Sequence, residues 1–309
     1  MMTHYKLLFT FTLIFLFTIK SIAQDLGYKE EQLTHNNFDN RYASYNKEGN
    51  LIIFESNRDG HWQIYSMDVN GNDQRRVFTS TANDRRPTWH PYKDIILFES
   101  DRSGKSDIYT YNLSTRVMSK IQIPLKGNKS YAQFAPNGTE LVFNYKLNDN
   151  NYNIYRISVK GKRLKAVIKN GHKNLYPRYS PRGDVIVYFS RKHTKNIDDE
   201  IYAYNIINKS EIRLTRMPQH NFCPTWSHNG RRIVYVTSME DSKPEIFIMG
   251  KDGKAKQRIT FNDVVDTLPT WSPKDINLLI TGFRNGNYQI CRILLKEPLG
   301  SSRKLFDKD

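Results

Sequence analysis

Six segments of this chain repeat one pattern at a nearly fixed interval, and that regularity limits the fold more than any other feature of the sequence. Each segment has an aromatic anchor, then a polar turn with Gly or Asp, then a β-branched apolar run. The anchors are Tyr45, Trp89, Phe134, Tyr179, Trp226 and Trp271, spaced by 44, 45, 45, 47 and 45 residues. Proline stands two residues before four of them, at Pro87, Pro177, Pro224 and Pro269. A period in the mid-forties belongs either to propeller blades or to helical repeats.

Local chemistry chooses between those two. Runs such as Ile52-Ile53-Phe54 and Val185-Ile186-Val187-Tyr188-Phe189 are β-branched and aromatic, of strand length, and bounded by turn residues. A second strand mark follows each run, as in Ile64-Tyr65, Ile108-Tyr109 and Ile201-Tyr202. Between the two lie tight-turn sequences such as Asn57-Arg58-Asp59-Gly60 and Asp101-Arg102-Ser103-Gly104, where the final Gly supplies a positive φ. After residue 23 no stretch keeps a helical apolar period over 12 residues. The pattern therefore predicts an all-β chain of four-stranded antiparallel blades, six in number, ringed so that each buries its faces against its neighbours. The expected domain is a single six-bladed β-propeller over residues 24–309. Composition agrees: 38% hydrophobic and 13% aromatic residues suffice for a core, and two cysteines exclude a disulfide framework or a four-Cys zinc site.

The N-terminus carries a different signal. Lys6 precedes the apolar run Leu7–Phe17, and Ser21-Ile22-Ala23 places small residues before a cut after Ala23. Positive start, apolar middle and small-residue end define a secretory signal peptide over residues 1–23, too short to span a bilayer comfortably. No Cys follows for a lipid anchor, and no later run is long enough for a membrane span. Loss of Lys6 and Lys20 would lower the net charge from +16 to +14. Export makes nucleic acid an unsuitable partner for this basic chain. A soluble rim and an acidic envelope surface or polysaccharide are the alternatives left.

The succession Pro87-Thr88-Trp89-His90-Pro91, Phe98-Glu99-Ser100-Asp101-Arg102-Ser103-Gly104 and Asp107-Ile108-Tyr109 resembles the TolB-type propeller repeat, as do Pro224-Thr225-Trp226-Ser227 and Pro269-Thr270-Trp271-Ser272-Pro273. The resemblance runs from about Leu33 onward. Blades 2, 5 and 6 match best; blades 1, 3 and 4 lack the Trp, and Ala132 replaces the first Pro of blade 3. It covers only the propeller: the family's separate N-terminal α/β domain has no counterpart expected here, since only Gln24 to about Glu31 precede the repeats. The resemblance implies a bacterial-type extracytoplasmic protein-interaction propeller, periplasmic or secreted, with an envelope protein partner. The chain is expected to be monomeric and not membrane-spanning. Ring closure has two candidates: Glu31-Gln32-Leu33-Thr34, favoured, and Arg303-Lys304-Leu305-Phe306.

Strand order places the second-to-third hairpins and the blade-to-blade loops on one face, here called the hairpin face. Hairpins expand there at Lys146–Asn151, Arg191–Glu200 and Met239–Pro244. Loops on a rigid scaffold are where binding concentrates. Five residues before each anchor stand Asn40, Asp84, Lys129, Asn174, Asn221 and Asp266. This recurrent polar column reads either as turn-capping residues or as a ring of oxygen donors for a ligand or divalent cation at the channel mouth. Arg41, Arg85, Arg86, His172 and His220 are candidates for an anion at the same mouth. No local catalytic motif is present, neither G-x-S-x-G, H-E-x-x-H, a Gly-rich phosphate loop nor C-x-x-C, so a non-enzymatic role is expected. The alternative is a carbohydrate-active or lactone-cleaving propeller with a channel metal, drawing on His35, Asp84, His172, His220 and Asp266. Cys223 and Cys291 read as small apolar packing groups.

Overall fold

The second strand of each blade is buried on both faces, which is why its sequence is a continuous apolar run and not an alternating one. Ile52, Phe54, Tyr65 and Met67 of blade 1 pack against Leu279 and Ile290 of blade 6. Ile53 and Ile64 point the other way, against Ile96, Phe98 and Tyr109 of blade 2. Alternate residues of one strand thus serve two interfaces. Each fully buried Ile or Phe contributes roughly 1.5–3 kcal/mol.

The computed structural model describes residues 28–192, 198–216, 220–238 and 243–295. They form six four-stranded sheets. A short first strand, β1 (Lys29–Gln32), precedes the ring. Blade 1 holds β2 (Asn40–Tyr45), β3 (Leu51–Ser56), β4 (Gln63–Asp68) and β5 (Arg75–Arg76). Blade 2 holds β6 (Asp84–Trp89), β7 (Ile95–Ser100), β8 (Asp107–Asn112) and β9 (Met118–Lys120). Blade 3 holds β10 (Lys129–Phe134), β11 (Glu140–Asn148), β12 (Asn151–Ser158) and β13 (Lys165–Ile168). Blade 4 holds β14 (Asn174–Tyr179), β15 (Val185–Ser190), β16 (Glu200–Asn205) and β17 (Glu211–Arg213). Blade 5 holds β18 (His220–Trp226), β19 (Arg232–Ser238), β20 (Glu245–Gly250) and β21 (Gln257–Arg258). Blade 6 holds β22 (Asp266–Trp271), β23 (Asn277–Arg284) and β24 (Asn287–Leu294). Every pairing between these strands is antiparallel, and the fold is a six-bladed β-propeller.

The fourth strand of blade 6 is β1, whose register with β24 runs from Lys29↔Leu294 to Gln32↔Cys291. Leu33 N extends it by donating to Ile290 O at 2.8 Å. Glu31 and Glu30 accept from Arg292 and Arg284, each at 2.6 Å. Blade 1 covers this clasp: Gly71 (φ +86°) lies so close that a Cβ there would sit 2.3 Å from the Leu33 carbonyl oxygen. The competing segment Arg303–Phe306 and the signal segment 1–23 lie outside the described residues.

Each innermost strand carries a bulge. Register breaks between Arg41 and Ser44, Arg85 and Thr88, Ser130 and Gln133, Leu175 and Arg178, Phe222 and Thr225, and Thr267 and Thr270. The first unpaired residue is left-handed in every blade: Tyr42 (φ 55°), Arg86 (50°), Tyr131 (54°), Tyr176 (59°), Cys223 (51°) and Leu268 (52°). The second is Ala43, Pro87, Ala132, Pro177, Pro224 or Pro269. A bulge residue needs no ladder N–H, so the repeated proline two residues before the anchor has its physical reason here.

The hairpin expansion of blade 3 is not a loop: β11 and β12 simply continue as a ladder to Asn148↔Asn151. Those of blades 4 and 5 fall partly outside the described residues.

Candidate functional site

The bulge sends six side chains toward the axis, where they plug the channel midway. Tyr131 and Tyr176 rings lie 5.6 Å apart, and the Arg86 guanidinium sits 4.5 Å from the Tyr131 ring and 5.5 Å from that of Tyr42. Tyr131 and Tyr42, from blades 3 and 1, pack against the same apolar cluster. Cys223 and Leu268 complete the plug within the same apolar cluster. Burial pushes the Cys223 thiol up to about 12, which fits a packing group and not a nucleophile. Cys291 is also free and buried.

Side chains of the preceding blade cap the strained amides on one half of the plug. Glu55 accepts from Arg86 N at 2.7 Å, Glu99 from Tyr131 N at 2.5 Å, and Asn144 from Tyr176 N at 3.0 Å. Glu99 also accepts from Arg86 Nη1 at 2.5 Å. Burial raises the Glu99 carboxyl pKa against the pull of Arg86. The equivalent positions of blades 4 to 6 are Phe189, Val236 and Thr281, so these three capping positions carry no charge.

On the hairpin face the recurrent polar column is buried and engaged inside the fold. Asn40 donates to Gln289 at 3.1 Å and accepts from Arg58 at 3.0 Å. Asp84 accepts from Arg102 at 2.7 Å and Asp266 from Arg284 at 2.8 Å. Lys129 Nζ meets Asp107 at 2.6 Å. Asn174 donates to Tyr152 O at 3.0 Å, and Asn221 accepts from Thr237 at 2.8 Å. All six pin an inner strand to its own blade or to the one before it. Among the described residues no three His, Cys, Asp or Glu side chains converge on one point. Asp84 gives one oxygen to Arg102 while its Oδ2 has no hydrogen-bond partner among the described residues, and Asp266 accepts from Arg284 through Oδ1 and from the Asn262 amide through Oδ2.

The anion candidates separate. Arg86 is in the plug. Arg41 bonds Glu55 at 3.1 Å and stacks 3.9 Å from the Trp62 ring, with Arg85 5.4 Å from the same ring. Arg85 and Arg86 border a hollow of about 260 Å³ with Asn83, Glu99, Asp101 and Ser106. His220 lies 3.4 Å from Asp199 at the edge of blade 5. His172 and His35 are exposed and stand apart from that cluster.

The larger hollow opens on the opposite face. It is a funnel of about 490 Å³, floored by Tyr42, Tyr176 and Leu268 and rimmed by the turns after the anchors. The residue before each anchor borders it: Ser44, Thr88, Gln133, Arg178, Thr225 and Thr270. Trp89, Trp226 and Trp271 stand behind. Trp89 Nε1 donates to Ser44 O and Trp271 Nε1 to Thr225 O, each at 3.2 Å, stitching one blade to the last. Sequence reading missed this wall because its six residues share no type; the signal was positional, one step before the anchor. The turns of the funnel face carry 13 Lys and Arg against 6 Asp and Glu, whereas the described connections of the hairpin face carry 10 against 7.

This architecture defines a class: a six-bladed β-propeller with a plugged channel and two unlike mouths. Residues 73–197 match the TolB β-propeller domain model. The chain is 26% identical over 239 residues, 75% of its length, to the Tol-Pal system protein TolB of Francisella tularensis subsp. holarctica, of which it covers 54%. Among solved structures it superposes on TolB from Acinetobacter baumannii with a TM-score of 0.62 at 20% identity, covering 84% of this chain and 64% of that one. An oligogalacturonate lyase in complex with manganese superposes equally well, with a TM-score of 0.62 at 16% identity over 88% of this chain and 94% of the other. In repeat and fold the chain is a six-bladed β-propeller similar to the TolB propellers. It spans about half the length of the Francisella relative and under two thirds of the Acinetobacter one. The described residues contain no helix long and apolar enough to cross a membrane.

Proposed function

We propose that this chain is an exported, non-enzymatic propeller that works as a monomeric protein-binding module in the bacterial cell envelope, with residues 1–23 as its signal peptide. The observation that carries the reading is the likeness, along three quarters of the chain, to a protein named for the Tol-Pal system. The binding surface is the hairpin face. Arg41, Trp62 and Arg85 form a half-buried stack there beside a mixed-charge hollow. Trp and Arg in such settings dominate the energetics of protein interfaces. His220, at the rim of the same face, belongs to the polar surround.

Two measurements test this. N-terminal sequencing of the protein recovered from a periplasmic fraction is expected to start at Gln24; recovery only from the cytoplasm overturns the export reading. A partner captured from envelope extract, then purified, is expected to lose at least about 2 kcal/mol of affinity with Trp62→Ala or Arg85→Ala. Unchanged binding by both variants overturns the assignment of the surface.

A further inference from the structure

We infer that the funnel on the face opposite the hairpins is a binding site for a small hydroxylated-ring carboxylate, a sugar acid, held by Arg178. This does not rest on the protein-binding reading above and uses none of its residues. Arg178 is 7% exposed. Its Nη1 donates to the backbone oxygens of Pro177 at 2.8 Å and Tyr131 at 3.3 Å, and its guanidinium lies 3.8 Å from the Tyr176 ring. All of these partners are neutral. Of the other arginines on the inner strands, Arg86 has Glu99 and Arg41 has Glu55, while half-buried Arg85 borders the hollow on the hairpin face. Among the described residues no Asp or Glu lines the funnel. A buried guanidinium without a counter-charge is costly unless a ligand supplies one, and carboxylate is the group its planar fork matches.

The rest of the wall indicates what the carboxylate is attached to. Ser44 Oγ and Thr225 Oγ1 are buried beside the hollow and have no hydrogen-bond partner among the described residues. Thr88, Gln133 and Thr270 add polar groups around the same ring of the wall. Aromatic rings back and floor it. Polar groups that pair with hydroxyls, set among aromatic faces that stack on a ring, suit a sugar. The volume of about 490 Å³ admits one or two such rings. The excess of basic residues in the surrounding turns steers an anion toward this mouth.

The test is calorimetric titration of the mature chain with glucuronate and galacturonate, with glucose and galactose as neutral counterparts, and with a uronate disaccharide. Tryptophan fluorescence reports independently, since Trp89, Trp226 and Trp271 border the funnel. Saturable binding of at least one acid is expected, at least about tenfold tighter than its neutral sugar. Arg178→Gln should weaken it at least about tenfold, Arg178→Lys less, and Lys105→Gln in an exposed hairpin of the other face not at all. A monomer that binds points to a free sugar acid; binding by the disaccharide alone points to the end of an acidic polysaccharide. Equal binding of acid and neutral sugar, binding of neither, or full affinity in Arg178→Gln overturns the proposal. Should Arg178→Gln fail to fold, Thr225→Trp, which fills the funnel, is expected to abolish binding, and retained binding overturns the proposal.

Discussion

The two mouths of the channel are built from the same repeat, yet they handle charge in opposite ways. On the hairpin face every buried ionic group among the recurrent column is matched: Asp84 by Arg102, Asp266 by Arg284, Lys129 by Asp107. On the funnel face Arg178 is buried among neutral partners only. The difference teaches that a charge out of keeping with its column is scaffold where the fold supplies its counter-charge, as Asp107 does for Lys129, and stands out where the fold does not. Five of the six residues before the anchors are neutral, and one is an arginine.

Several substitutions would break or sharpen this contrast. The largest effect is expected from Glu99→Ala, which strands buried Arg86 and uncaps the Tyr131 amide. Urea unfolding should show a loss of about 3–5 kcal/mol. A loss below 1 kcal/mol would mean that the plug is not held by that pair. Next is pH. Burial pushes the Asp107 carboxyl up, but bonds from Lys120, Lys129 and Ser103 outweigh it and bring it down to about 2. A carboxyl lowered in the folded state contributes stability above its ordinary range near 3.8, and that contribution is lost as pH falls through about 2. The full contribution is about 2 kcal/mol. The stability difference between wild type and Asp107→Asn should therefore shrink between about pH 5 and about pH 2. Comparing the pair is necessary because burial raises Glu99, Glu245 and Asp266, whose contributions run in the opposite direction.

On the funnel side the expected effects are smaller. Trp271→Phe removes the inter-blade bond to Thr225 O and should cost about 1 kcal/mol in urea unfolding. Arg178→Met, which removes an unmatched buried charge and keeps most of the volume, should leave stability unchanged or raise it by about 1 kcal/mol. A loss of several kcal/mol would show that its carbonyl contacts alone justify the charge, and the contrast between the mouths would fail.

The blades were fully legible in the sequence because anchor, turn and apolar run recur in fixed order, and the covering of each strand on both faces follows from the ring. The clasp was legible too, through the likeness of Gln32-Leu33-Thr34 to the fourth strands. The bulge was not. It interrupts the alternation of β2 between Arg41 and Ser44 and of its five counterparts, so which side chains reach the axis depends on a backbone irregularity that residue type does not announce. The proline before the anchor was its trace. For the same reason the column from Asn40 to Asp266 stood open between capping and coordination, since its partners, among them Arg102, Asp107, Thr237 and Arg284, lie on other strands.

The clasp also has a consequence for how the molecule comes into being. Lys29 pairs with Leu294, so the sixth blade cannot exist until nearly the whole chain is present. Bringing those ends together closes a loop of some 260 residues, an entropic cost of roughly 5 kcal/mol on the logarithmic scale. That cost is met only by the last sheet to assemble. Five blades can stack in order as the chain becomes available, and the final one locks them all at once. A chain that crosses a membrane unfolded would thus stay an open crescent until its last strand arrives, and the seam between first and last strands is where the finished ring would be expected to open first.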